Sequence, residues 1–254
     1  MQPRADEETF RALARSSPWL WRTLRCTVTQ QDRRRPDRAP VRAWLRRPHD
    51  LRAECDGQVC CVDGRPAGWS AVLTSDGRHA EPPGSEPPVR RPDGLVAWRD
   101  PLDVSEHDVP LTPWTGYEWV AYFDPRELAD GRDEDPCAGD APPPGTTVRD
   151  VRAITHRGRP ALAAEVAPGD GYEPRCSCCA LLFTDPVAER LRKELGDPRV
   201  ADGRRLATNY LALLDVATGV LVSLTQLDGD QAGDGVEIAI EAVDEQMPDG
   251  LFRR

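Results

Sequence analysis

Ten Asp-Gly dipeptides punctuate this chain of 254 residues. Asp-Gly accepts the positive φ values that a tight hairpin turn requires. Its recurrence between short alternating runs predicts hairpins as the main connection, with some of the pairs in ordinary loops. The alternation is clearest over 41–46, where Val41, Ala43 and Leu45 oppose Arg42, Trp44 and Arg46. Similar runs occupy 24–30, 51–55 and 59–62; Arg-Pro joins 41–46 to 51–55, and Asp-Gly joins 51–55 to 59–62. In the second half, 148–155 and 161–166 pair across Arg157-Gly158, and 206–216, 220–227 and 236–243 form a meander. The sum is roughly eight to eleven antiparallel strands, and a sheet of that size curls so that one face is concave.

Helices are few. Residues 6–14 carry Phe10, Leu13 and Ala14 at helical spacing behind acids that suit a helix N-terminus, and Ser17-Pro18 is expected to interrupt them. Asp124-Pro125 predicts a short helix over 125–129, and Asp185-Pro186 a longer one with Val187, Leu191 and Leu195 on one face. Two Pro-rich stretches, 79–93 and 131–145, read as loops within one domain spanning 1–254. The expected fold is α+β, mainly β: one curved antiparallel half-barrel sheet with lid helices on its concave face.

Charge is unevenly spread. Residues 1–52 hold 13 Arg against 6 acids, whereas the chain as a whole carries a net charge of −10. The acidic whole disfavours nucleic acid as a partner. The basic peak at Arg33-Arg34-Arg35 and Arg38 is a solvated tip, or a surface that touches an anionic partner. No apolar run reaches the roughly 18 residues of a spanning helix, and no export signal or lipid-attachment cysteine is visible, so a cytoplasmic location is expected.

The segment 41–72 resembles the outer-membrane lipoprotein carrier (LolA-like) family. The shared elements are Trp44, Arg47-Pro48, the short strand from Leu51 to Glu54, Val62-Asp63-Gly64 and Trp69. Upstream, 27–30 (TVTQ) resembles the first strand of that family. The C-terminal LLDVATGVLVSL and PDGLF resemble related domains of sigma-factor regulatory and lipoprotein-like proteins, so that about two thirds of the chain is covered. The resemblance implies a half-barrel closed by helices that holds an apolar small molecule, lipid or protein segment. It also implies that Arg47 holds the helical lid shut. Arg46 points to the other face of the strand.

Catalytic signatures are not apparent. His49, His79, His107 and His156 are scattered, and neither an HExxH pair nor a Gly-x-Ser-x-Gly elbow occurs. The expectation is therefore a non-enzymatic binding module. Trp114, Tyr117, Trp119 and Tyr122 either line its apolar pocket or pack as core. The second function is a cysteine-dependent metal-binding or redox-sensing regulator. In a strand, Cys176 and Cys178 share a face and Cys179 points away. Such a pair can offer two thiolates to zinc, with more from Cys55, Cys60 or Cys61, although adjacent Cys60 and Cys61 cannot face one way. Buried reduced thiols without a cofactor are the simpler reading. Asp228, Asp230 and Asp234 read as a solvated turn, with calcium as the alternative.

Overall fold

A computed structural model describes residues 4–47, 49–62, 88–99, 118–131, 144–174, 180–195 and 203–253. The described residues form eleven strands: β1 (Thr23–Gln31), β2 (Val41–Arg46), β3 (Asp50–Cys55), β4 (Gln58–Val62), β5 (Val89–Arg90), β6 (Val96–Trp98), β7 (Thr146–His156), β8 (Arg159–Pro168), β9 (Tyr210–Asp215), β10 (Leu221–Gln226) and β11 (Gly235–Val243). Four α-helices accompany them among the described residues: α1 (Glu7–Leu20), α2 (Glu118–Phe123), α3 (Arg126–Asp130) and α4 (Asp185–Leu195). Nine strands form one antiparallel sheet in the order β4-β3-β2-β1-β11-β10-β9-β8-β7, and β5 and β6 form a separate hairpin. The large sheet does not close into a barrel.

The period-2 pattern decides which face is buried. Leu24, Cys26 and Val28 of β1 stand opposite Leu45, Ala43 and Val41 of β2, and all six are buried. Ala53 and Leu51 of β3 continue the row. This inner face shares one core with Phe10, Leu13 and Ala14 of α1, Trp119 and Phe123 of α2 and Leu128 of α3. Residues one position out of phase face the other side. There Trp44 packs with Met247 and Phe252 of the C-terminal 3-10 turn (Asp249–Phe252). The Arg42 and Arg52 guanidinium groups lie over the Trp44 ring, and that of Arg46 lies over Phe252.

Several expectations need correction. Helix α1 does not break at Ser17-Pro18 but runs on to Leu20. Pro18 cannot donate to the carbonyl four residues back, but it sits in the last turn, where the loss is small. The neighbouring serines stay engaged: Ser16 donates to Ala12 O, and Ser17 donates to Phe123 O. The aromatic run before Asp124 is helical over 118–123. Asp124 does not cap α3, which has Pro125 at its N-cap without a side-chain bond. Residues 206–209 are not strand, because Asp228 captures the Thr208 and Asn209 amides and holds them in a turn. Among the described Asp-Gly pairs, Asp56-Gly57 makes the two-residue hairpin turn, with φ of 49° and 74°. Asp130-Gly131 ends a helix instead, its glycine left-handed at the C-cap.

The sheet bends sharply at one end. A β-bulge between Arg149 and Arg152 re-aims the outer half of β7. Arg157 at the hairpin tip then donates to Glu237 Oε2 at 3.3 Å, and His156 Nε2 lies 3.1 Å from the same oxygen. Glu237 belongs to β11, four strands from β7, or roughly 19 Å across a flat sheet at about 4.8 Å per strand. The contact requires the hairpin to bend over the outer face. Small residues there, Ala161, Ala163 and Ser223, are buried and permit the close approach.

Beneath the bend, Asp215 ends β9 and organises its turn. It accepts from the Ala217 and Thr218 amides and the Thr218 hydroxyl, and Arg159 pairs with both its oxygens at 2.7 and 3.0 Å. The turn abuts α1. A Cβ on Gly219 would meet Leu13 O at 2.7 Å, and its φ is +67°, so glycine is required twice over.

Candidate functional site

The polar groups that fasten the helices to the sheet gather at the C-terminal ends of α1 and α2. Strand β2 delivers two successive arginines to opposite faces. Arg46, facing out, bonds Asp50, Asp249 and Met247 O. Arg47 extends the β1–β2 pairing through its amide to Arg22 O and turns inward. Its guanidinium carbon stands 3.9 Å from the Trp21 ring centroid, and Nη2 donates to Phe123 O at 3.3 Å. Burial pushes its pKa down to about 10, with the Asp124 carboxylate opposing the shift and the Arg99 charge adding to it. It therefore remains protonated at neutral pH.

Phe123 O is the last carbonyl of α2 and has no helical acceptor role to fill. It accepts from both Arg47 and the Ser17 hydroxyl, the latter at 2.8 Å. Trp21 Nε1 donates to the same Ser17 oxygen at 3.3 Å. The Trp21 and Trp119 rings pack against Phe123 with centroids 6.2 and 5.9 Å away. One carbonyl thus ties the sheet, α1 and α2 together within an aromatic setting.

Above this point lies the β5–β6 hairpin, whose Val96 amide donates to Ser16 Oγ. Arg99, just past β6, sends Nη2 to both Asp124 oxygens at 2.6 and 2.7 Å. Both side chains are buried, and the Arg99 guanidinium carbon stands 5.3 Å from the Trp19 ring centroid.

Two further polar anchors hold α1 to α3 and β7. Arg11 of α1 is buried and donates to Ala129 O, to Thr146 Oγ1 at 3.1 Å and to Thr146 O at 2.8 Å. Arg15 pairs with Asp130 in a fork. Next to them, the buried Glu127 accepts from the Tyr172 hydroxyl and the Leu181 amide. Burial, reinforced by the Glu127 charge, pushes the Tyr172 hydroxyl well above its ordinary pKa.

The chain's similarity to known proteins adds nothing to this geometry. No protein-family model matches it, and no curated protein or solved structure matches it significantly.

Arg47 lies where α1 and α2 meet the sheet. Trp119 and Tyr122 are buried in the core, not placed along an open pocket wall. Trp114 and Tyr117 lie outside the described residues, as do Cys176, Cys178 and Cys179. Cys26 is fully buried on β1, and burial raises its thiol far above the ordinary range. Cys60 faces Ala53 across the β3–β4 pair, and Cys61 faces Arg52 on the opposite side. Among the described residues no three metal-ligating side chains gather. The aspartates of the β10–β11 turn serve separate partners: Asp228 holds Thr208 and Asn209, Asp230 the Arg205 amide, and Asp234 holds Arg33. They are structural acceptors, not a bare solvated turn. The same contact ties down one member of the basic Arg33-Arg34-Arg35 peak. No helix among the described residues is long and apolar enough to cross a membrane.

Neither the Arg99–Asp124 pair nor the anchoring role of Arg11 is legible in the sequence. Arg11 left a trace, since it stands within the row formed by Phe10, Leu13 and Ala14. Arg99 left none, because its partner is distant and Asp124-Pro125 carries a stronger local meaning.

Proposed function

We infer that the chain is a non-enzymatic binding module, akin in architecture to the lipoprotein carriers, in which α1 and α2 form a closed lid over the sheet. The observation that carries this reading is the convergence of Arg47 and Ser17 on Phe123 O. Apolar packing alone holds a helix without direction. A guanidinium bonded to a helix-end carbonyl adds a directional contact that breaks and reforms as a unit. Lifting α2, which approaches the sheet at β10, would bare part of the apolar inner face, and its natural occupant is an apolar chain, from a lipid or from a partner's apolar segment.

Native mass spectrometry of the purified protein tests the reading. The expected result is a population carrying an apolar adduct, released when solvent conditions weaken the lid. A single ligand-free mass for both the wild type and a lid-weakened Arg47→Leu variant would remove support for a binding role.

A further inference from the structure

The Arg99 guanidinium is more than its ion pair needs. A guanidinium presents five N–H donors in a fixed fork, and carboxylates usually take two of its nitrogens side by side. Asp124 instead meets Nη2 alone, with both oxygens. Nε and Nη1 are buried and have no hydrogen-bond partner. The residue as a whole is 5% exposed. Desolvated donors on a charged group are costly, and native structures pair the large majority of them. Arg47 adds a second cation close enough to feel both Arg99 and Asp124. The indole of Trp19, half-buried, covers Arg99 from one side.

We propose that Arg99, with Arg47 beside it, is a buried receptor for one oxyanion, a phosphate or carboxylate group bound at the guanidinium nitrogens that Asp124 leaves unused. An oxyanion matches the three remaining N–H groups in number and charge, whereas water would satisfy the hydrogen bonds but not the cation. Asp124 then has a defined role. It holds Arg99 in place through Nη2 and offsets the Arg99 charge while no anion is bound. It also repels the incoming anion, so affinity is moderate and the anion can leave. The anion is either free or the head of a molecule whose apolar part lies under the lid. The site does not depend on the binding-module reading, because a free anion would occupy it as well.

The test is thermal unfolding of the full chain in increasing inorganic phosphate, compared with chloride at equal ionic strength. Phosphate should raise the unfolding midpoint of the wild type and leave that of Arg99→Met unmoved. Because that variant could fail to fold, Asp124→Asn provides the independent arm. Removing the opposing carboxylate should lower the phosphate concentration at half-effect by about tenfold, the order that one close charge produces. A merely structural carboxylate would give no such gain. Monododecyl phosphate, compared with phosphate and with dodecanol, separates the sources: tighter binding than either marks a lipid head, and equal binding of the two phosphates marks a free anion. No difference between phosphate and chloride in both the wild type and Asp124→Asn would overturn the assignment.

Discussion

Arg11→Met should cost the fold about 3–5 kcal/mol, because it leaves several buried neutral acceptors without their charge-assisted donor. The guanidinium reaches from α1 to the end of α3 and to the first residue of β7. Methionine keeps most of the stem's volume but none of the donors. Ala129 O, Thr146 O and the Thr146 hydroxyl then lose a charge-assisted partner in a dry place, each such bond contributing roughly 1.5–3 kcal/mol. Thr146 keeps its own bond to Leu128 O, which limits the loss to less than the full sum. Urea unfolding with an unchanged m-value would report this directly. A loss below about 1 kcal/mol would mean that α1 is held by its apolar face alone and that the polar anchors of the lid are incidental.

Asp215→Ala should be of similar size, about 3–5 kcal/mol, for a different reason. Its carboxylate is 1% exposed and serves two amides, one hydroxyl and one guanidinium. Alanine would strand the Thr218 amide and leave Arg159 facing an empty, partly dry position. The β9–β10 turn would loosen, and with it the close seat of Gly219 on α1. Asp215→Asn separates the contributions. The amide keeps the shape and an acceptor for the turn but loses the charge that pairs with Arg159, so it should fall between alanine and wild type. If asparagine were as damaging as alanine, the ion pair rather than the turn would carry the effect.

The strands were legible because their information is local. Alternation in 41–46 and the turn at Asp56-Gly57 place β2, β3 and β4 within a residue or two, and alternation also separates Arg46 from Arg47 by face. Asp-Gly was less specific than its frequency implied. Asp130-Gly131 uses the same left-handed glycine to end a helix, and Asp234-Gly235 enters a strand. The helix over 118–123 was hidden because its aromatic residues read only as pocket lining or core, which assigns no backbone conformation; Trp119 and Phe123 pack as core, with Trp21 against Phe123. The least legible feature is the polar fastening of the lid. Arg99–Asp124 and Arg11–Thr146 join residues 25 and 135 positions apart, and no local pattern encodes such pairs. The bend of the β7–β8 hairpin is hidden for the same reason, since a bulge shows no dipeptide signature and Glu237 lies 80 residues from Arg157.

The binding-module reading stands or falls on whether the lid opens to an apolar ligand and whether Arg47 controls that step. Titrating a fluorescent fatty acid into the wild type and Arg47→Leu measures both. The variant loses the bond to Phe123 O and the cation over Trp21, while Ser17 still holds the same carbonyl. The fold should therefore survive, with the lid easier to raise. The account predicts saturable binding by the wild type and a changed association or release rate in Arg47→Leu. Absence of binding by both proteins, with each folded and stable, would contradict it.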